Sequence, residues 1–325
     1  MSCVLVYTLL LTTAALLNAQ AGSQPDRRAI ISELRAGKYN DARSLIEQAI
    51  GHSPRDASLW TLNGFALSHL GKRKEASASY KRAIGISPDY LPALEGAAQI
   101  EYQASDQHAV VILRKILSIH PADETSHAML AALAFKRGDC KIASKEFQQS
   151  QRLIASRVTP LEEYGSCLVK LRRPADAVAV FQRLKDIQPQ NNEARYNLGL
   201  VQLLANRYQD AIATVTPLVS KNPSDADDLD LLAEAYEGTL DTPRAVATLR
   251  KAIVTNPDVS RYYLDFADLC IAHAAYQVGV DMLNAGLERL PGSASLYMAR
   301  GILYIQLGEY GKSDRDFAQA DRLDP

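Results

Sequence analysis

The sequence predicts an all-α fold, a stack of repeated helical hairpins. Prolines recur at a fixed interval, small and large apolar residues keep phase with them, and the composition favours helix. The 325 residues are 47% hydrophobic and 22% charged, with a net charge of −1. That balance is globular; it excludes a disordered chain and offers no basic surplus for nucleic acid. Ala and Leu are abundant, and little of the chain alternates with the period of two that marks a strand.

The prolines set the unit length. Pro54 and Pro88 are 34 residues apart, Pro121 follows 33 later, and Pro189 comes two periods of 34 after that, with Ala155 at the intermediate place. Pro223, Pro257, Pro291 and Pro325 continue at intervals of 34. A proline is not expected inside a helix, and its ring pushes the preceding residue out of the α region. Such a spacing marks the end of one unit and the start of the next.

Within each unit other residues hold the same phase. After Pro54 come Gly64, Leu67, Ala76, Tyr80 and Ala83, at offsets 10, 13, 22, 26 and 29. The same offsets after Ala155 give Gly165, Leu168, Ala177, Phe181 and Leu184; after Pro223, Ala233, Tyr236, Ala245, Leu249 and Ala252; after Pro291, Gly301, Tyr304, Ser313, Phe317 and Ala320. Small residues at two offsets let two helices approach, and large apolar residues beside them fill the space. A mid-period glycine, at Gly37, Gly71, Gly138 and Gly308, suits a turn that a side chain would resist. Each unit is therefore two antiparallel helices, and neither can bury its apolar stripe without neighbours.

This pattern resembles the tetratricopeptide repeat family, carried best by Trp60, Gly64, Leu67, Ala76, Tyr80, Ala83 and Pro88. The resemblance covers the chain after Ala21, 325 − 21 = 304 residues. It implies a right-handed superhelical solenoid of about nine repeats, starting near residues 23, 57, 90, 124, 158, 192, 226, 260 and 294. The first repeat departs from the pattern, with Ile30 in place of a small residue and Arg27 and Arg28 early in its helix. The last helix, from Lys312 to Leu323, carries Asp314, Arg315, Asp316, Gln319, Asp321 and Arg322 and is expected to act as its own solvated cap.

Residues 1–21 read as a secretory signal peptide. Val4 to Leu17 carries no charge, is too short for a comfortable membrane span, and is followed by Ala19-Gln20-Ala21, a small-x-small cleavage pattern. No Lys or Arg precedes the apolar run, so two outcomes stay open. Cleavage after Ala21 sends residues 22–325 to the periplasm or outside the cell; retention leaves a membrane anchor. Cys140, Cys167 and Cys270 then remain, and an odd number allows at most one bridge, with Cys140 and Cys167 the pair to test.

No constellation in the sequence calls for catalysis, a cofactor or a metal. His120 and His127 lie seven apart but lack a completed ligand set. Gly311-Lys312-Ser313 lacks the leading glycine of a phosphate loop, because Gln306 stands there. Asp225, Asp227, Asp228 and Asp230 have the wrong spacing for a calcium loop and lack its glycine. They fall at a helix start, where carboxylates suit the helix dipole. Lys72, Arg73 and Lys74 form the longest basic run, and without an aromatic platform they read as a solvated turn, not a nucleic-acid site.

The resemblance implies that the first helix of each repeat lines a concave groove that takes peptide or protein segments. Projected onto this sequence, the groove offers Leu62, Phe65, Leu94 and Tyr102 early, then Tyr196, Asn197, Leu200 and Leu203. The seventh and eighth repeats add Asp227, Asp230, Glu234, Glu237, Asp265 and Asp268. From Asp225 to Asp241 there are seven carboxylates and no basic residue. Such a wall would attract a Lys/Arg-bearing segment, with Tyr196 and Leu200 as its apolar anchor; the alternative is a merely solubilising face. Asn197 stands alone, so neither a carboxylate clamp nor an asparagine ladder is expected. The expected function is a non-catalytic protein–protein interaction scaffold of the envelope or extracellular space, assisting complex assembly. Its alternatives are a regulatory or targeting subunit of an envelope enzyme complex, and a membrane-anchored adaptor.

Overall fold

A computed structural model describes residues 24–104 and 106–324. The apolar leader with its cleavage pattern, and Pro325, lie outside the described residues. The described residues contain helices and no strand. In chain order the hairpins are α1 (Gln24–Arg35) with α2 (Tyr39–His52), α3 (Ala57–His69) with α4 (Arg73–Ile86), and α5 (Leu91–Ala104) with α6 (Asp106–Ile119). Next come α7 (Glu124–Lys136) with α8 (Cys140–Gln149) and α9 (Gln151–Ile154), then α10 (Val158–Lys170) and α11 (Pro174–Ile187). The last are α12 (Asn192–Leu204) with α13 (Tyr208–Lys221), α14 (Ala226–Gly238) with α15 (Thr242–Thr255), α16 (Ser260–Ala272) with α17 (Tyr276–Arg289), and α18 (Ala294–Gln306) with α19 (Tyr310–Leu323).

The starts of these hairpins have a local cause. Two residues after each of four repeat prolines stands a capping side chain: Asp56, Asp123, Asn191 and Asp225 accept backbone N–H groups at the starts of α3, α7, α12 and α14. Each such cap stabilises its helix by about 1 kcal/mol. Pro174 and Pro243 occupy the first turns of α11 and α15, where a missing N–H costs nothing.

The turns between paired helices repeat one backbone geometry. Gly37, Gly71, Gly138 and Gly308 have φ of 72, 74, 78 and 75°. In four other repeats the same position is held by Arg172, Asn206, Leu240 and Ala274, with φ of 55, 58, 63 and 53°. In every case the next residue donates its N–H back five residues, as Lys72 does to the Leu67 carbonyl at 2.9 Å and Asp241 to that of Tyr236 at 2.9 Å. This closure uses the orphan carbonyls of the first helix. The turn is thus a property of the repeat, and glycine is its usual but not its necessary occupant.

Glycine at offset 10 faces the large residue at offset 26. A Cβ on Gly165 would lie 2.7 Å from the Phe181 ring, one on Gly301 2.7 Å from Phe317, and one on Gly199 2.5 Å from Val215. Tyr80 is flanked on two sides, by Gly64 of its own hairpin and Gly96 of the next. Burial pushes its phenol up to about 12.

Two elements depart from the sequence expectation. Pro217 lies inside α13, against the expectation that a proline does not sit inside a helix. The fourth repeat, where Ala155 replaces the proline, has its second helix broken in two. There the buried Ser150 bonds with its hydroxyl to the carbonyls of Glu146 and Phe147, a local alternative to the helical ladder. Glu124 then accepts the Leu153 N–H at 2.7 Å, satisfying a donor of α9.

The helices form two units, one ending at Pro160 and one beginning at Leu161. In the first, Ile30, Leu34, Ile46 and Leu59 form a core beneath the opening hairpins, and Leu94, Leu113, Ile116 and Leu130 form another. Leu94 belongs to that core and is not available on a groove, because its side chain fills the space between neighbouring hairpins. In the second unit the largest core joins Leu229, Leu249, Tyr262, Phe266, Leu283 and Leu303. Each fully buried aliphatic or aromatic side chain of this kind contributes roughly 1.5–3 kcal/mol. Cys140 and Cys167 are buried, one in each unit, and Cys270 is a free, buried thiol. In α19, Asp316 is not on a solvated face: it is buried and receives a two-pronged bond from Arg300 at 2.7 and 2.8 Å.

Candidate binding surface on the seventh and eighth repeats

Helix α14 begins the seventh repeat and α16 the eighth, so residues 34 apart stand side by side. Asp227 on α14 and Arg261 on α16 are such a pair. The Arg261 guanidinium donates to Asp227 Oδ1 at 2.6 Å and reaches Asp230 Oδ2 at 3.0 Å, and its Nε lies 3.9 Å from Asp265 Oδ2. The Tyr262 hydroxyl donates to Asp227 Oδ1 at 2.8 Å. Tyr196, from α12, is near enough that Arg261, Asp227, Asp230 and Asp228 all act on its phenol, which burial raises.

The seven carboxylates of the acidic run therefore have separate fates. Asp225 caps α14, and Asp241 caps α15 while pairing with Arg244. Glu237 accepts from Thr242 and pairs with His273 at 2.7 Å. Asp227 and Asp230 share Arg261. Asp228 is buried, and burial with Asp225 and Asp227 nearby raises its carboxyl to about 6. Glu234 remains exposed, and Asp268 on α16 is exposed as well. The run has no basic residue of its own, but the following helices supply Arg244, Arg261 and His273. The sequence held a signal for this: Arg261 is one period after Asp227.

Asp230 is the odd member. It is 2% exposed, yet it sits among carboxylates. Burial, and then the charge of Asp265, pushes it up to about 8, against the pull of Arg261. Glu234 and Asp265 are raised for the same primary reason, desolvation. Asp230, Glu234 and Asp265 each offer a carboxylate oxygen, all within 4.8 Å of one another.

The other sequence-selected residues divide by unit. Asn197 and Leu200 on α12 are half-buried, and Tyr196 and Leu200 pack against the core of Val215, Leu231 and Leu232. Phe65 lies in the first unit, edge-on to Tyr39 at 6.4 Å and tilted against His69 at 4.5 Å. His127 bonds to Glu146 at 2.6 Å and to the Pro121 carbonyl at 3.0 Å. Gly311, Lys312 and Ser313 lie in the first turn of α19. No described helix is long and apolar enough to cross a membrane.

The sequence profile of the tetratricopeptide repeat matches residues 27–106, 128–192 and 165–226, and a second profile of the same description matches 294–325. Together these spans cover more than half of the chain. The chain belongs to the tetratricopeptide repeat family. It is similar to tetratricopeptide repeat protein 16 of Mus musculus, 25% identical over 169 residues, 48% of this chain and 22% of that protein. It is also similar to superkiller protein 3 of Schizosaccharomyces pombe, 26% identical over 46% of this chain and 11% of that protein. The ER membrane protein complex subunit 2-A of Xenopus laevis is 24% identical over 52% of this chain and 59% of its own length. The chain thus spans less than two thirds of the length of each of these relatives. Among solved structures, YrrB, described as a TPR protein with an unusual peptide-binding site, is 19% identical with a TM-score of 0.37, covering 67% of this chain and 95% of its own. MamA is 17% identical with a TM-score of 0.36, covering 60% of this chain and 94% of its own.

Proposed function

We propose that this tetratricopeptide chain is a protein–protein interaction scaffold of the cell envelope or extracellular space. It takes a basic peptide segment on α12, α14 and α16. Family membership supports the scaffold, as do relatives named as subunits of complexes. The apolar leader with its small-x-small pattern supports export. The observation that carries the binding surface is the cluster of carboxylates on α14 and α16, with Glu234 and Asp268 exposed, whose charge reaches the half-buried Tyr196 of α12. A Lys or Arg side chain meeting that rim gains charge attraction, and an adjoining apolar residue has Tyr196 and Leu200 to cover. Part of the acidic wall is already neutralised by Arg261, so the attraction belongs to the outer carboxylates.

The test reverses those outer groups. In a chain carrying Glu234→Lys and Asp268→Lys, capture of partners from the native envelope extract should fall about tenfold. Capture by the unaltered chain should weaken as salt shortens the range of surface charge. Asp230 is left alone, because a buried charge reversal would unfold the repeat instead of testing the surface. Equal, salt-insensitive capture by both chains would overturn the reading.

A further inference from the structure

The floor of this surface holds an arrangement that a peptide does not explain. Asp230 Oδ1 and Asp265 Oδ2 are both buried and lack a hydrogen-bond partner. Asp230 is nine-tenths buried by a wide margin, with a side chain 3% exposed, and its other oxygen is held by Arg261 at 3.0 Å. Unsatisfied buried carboxylate oxygens are costly, so something must compensate them. A proton shared between Asp230 and Asp265 is one way to satisfy those two oxygens, with the exposed Glu234 carboxylate beside them left to water. A single cation satisfies all three.

We infer that Asp230, Glu234 and Asp265 form a binding site for one divalent cation of the hard, oxygen-seeking class, with calcium as its best fit. Asp230 and Glu234 are one helical turn apart on α14, and Asp265 faces them from α16. The three oxygens lie within 4.8 Å of one another, and calcium accepts six to eight oxygens at about 2.3–2.6 Å in flexible geometry. Magnesium demands near-ideal octahedral geometry and dehydrates reluctantly, so an all-carboxylate cluster suits it less well. The charge also favours a cation: Asp227 shares Arg261, so the three carboxylates are only partly offset by it. Arg261 orients Asp230 through Oδ2 and frees Oδ1 for the ion. Glu234 is exposed, so water can complete the coordination from that side. Asp225, Asp227 and Asp228, the residues whose spacing is nearest a calcium loop, take no part.

The ion alone is the probe, which separates this inference from the peptide reading. The purified chain is freed of metal with a chelator and titrated with Ca2+ at pH 8 by calorimetry, and with Tb3+ for luminescence sensitised by the nearby Tyr262 and Tyr196. One saturable site is expected, with Kd on the order of 10⁻⁴ M, and a weaker response to Mg2+. Asp230→Asn and Asp265→Asn should each weaken it at least about tenfold, and Asp314→Asn, on the exposed face of α19, should leave it unchanged. Asparagine can hydrogen-bond to the remaining carboxylate, so a matching far-ultraviolet circular dichroism spectrum checks that each variant folds. No saturation by about 10 mM Ca2+, ten times the weakest range for such sites, overturns the inference. Binding unchanged in both folded variants does the same, and leaves a shared proton to explain the pair.

Discussion

Leu240 sits in the left-handed region at φ 63° with 84% of its surface exposed. A branched side chain there meets its own backbone at a cost of about 1–2 kcal/mol, and this one packs against nothing that would offset it. Replacing Leu240 with glycine removes the clash but adds chain entropy to the unfolded state, costing roughly 0.5–1 kcal/mol. Leu240→Gly should therefore stabilise the chain by about 0.5–1 kcal/mol. Gly308→Leu, at the same turn position with φ 75°, should destabilise it by a similar amount. Asn206 tolerates this conformation better than leucine, so Asn206→Gly should change stability less. Thermal denaturation of the three variants checks the order; an unaltered melting curve for Leu240→Gly would show that the turn carries no strain.

At the scale of the element, the repeat is held by a ring set between glycines. Tyr80 of α4 lies where side chains on Gly64 of α3 and Gly96 of α5 would lie, at 2.8 and 2.3 Å. Tyr80 is itself buried, so it cannot swing aside. Gly64→Ala and Gly96→Ala should each cost about 1–3 kcal/mol through overpacking, more than either pays back in helix propensity. Combining Gly96→Ala with Tyr80→Leu should recover part of that loss, because the smaller side chain leaves room for the methyl group. A double-mutant cycle in denaturant measures the coupling, and strict additivity would refute the contact. The period made these pairs legible: offset 10 small and offset 26 large can be read from the letters. The prolines also placed the hairpin starts, since Asp56, Asp123, Asn191 and Asp225 cap helices two residues after them. Other features were not legible. Nothing local marks Arg172 or Leu240 as left-handed, because the repeat imposes that geometry from both flanking helices. The Ser150 break depends on Glu124, 29 residues away from the N–H it accepts. In the binding surface the acidic run was plain, but its partial neutralisation by Arg261 is a contact between repeats. The period already put Asp230, Glu234 and Asp265 on one wall with three other carboxylates, but which of the six converge, and that Asp230 is buried, depends on contacts between α14 and α16.

At the scale of the whole molecule, the buried carboxyls tilt stability toward acid. Burial raises Glu163 to about 7 in the second unit, with Glu162 adding to it, and raises Glu95 in the first, with Asp123 adding to it. The seventh repeat adds Asp228 at about 6 and Asp230 at about 8. A carboxyl whose pKa is higher when folded binds more protons in the native state than in the unfolded chain, so stability falls as pH rises between the two values. The loss should begin above about pH 4, where unfolded carboxyls ionise, and finish near pH 8. Glu124 and Asp241 are shifted down by hydrogen bonds and by Arg152 and Arg244, and burial lowers His69, so these groups act in the opposite sense on the acid side. The melting temperature should therefore peak at about pH 5 and decline by a few degrees toward pH 8.5. Around Asp230 the charges that matter are Asp227 and Glu234 on its own helix, Arg261, Asp265 and Asp268 on α16, and the Tyr196 phenol on α12. Asp230→Asn removes the carboxyl whose shift spans the widest range, so it should flatten the decline throughout about pH 4 to 8 and nearly abolish it between about pH 7 and 8, where Asp228 and Glu163 no longer contribute. Melting curves of both chains across that range, in chelator so that no cation intervenes, decide the matter. A decline of equal slope in the two chains would mean that Asp230 is ionised throughout, held so by Arg261.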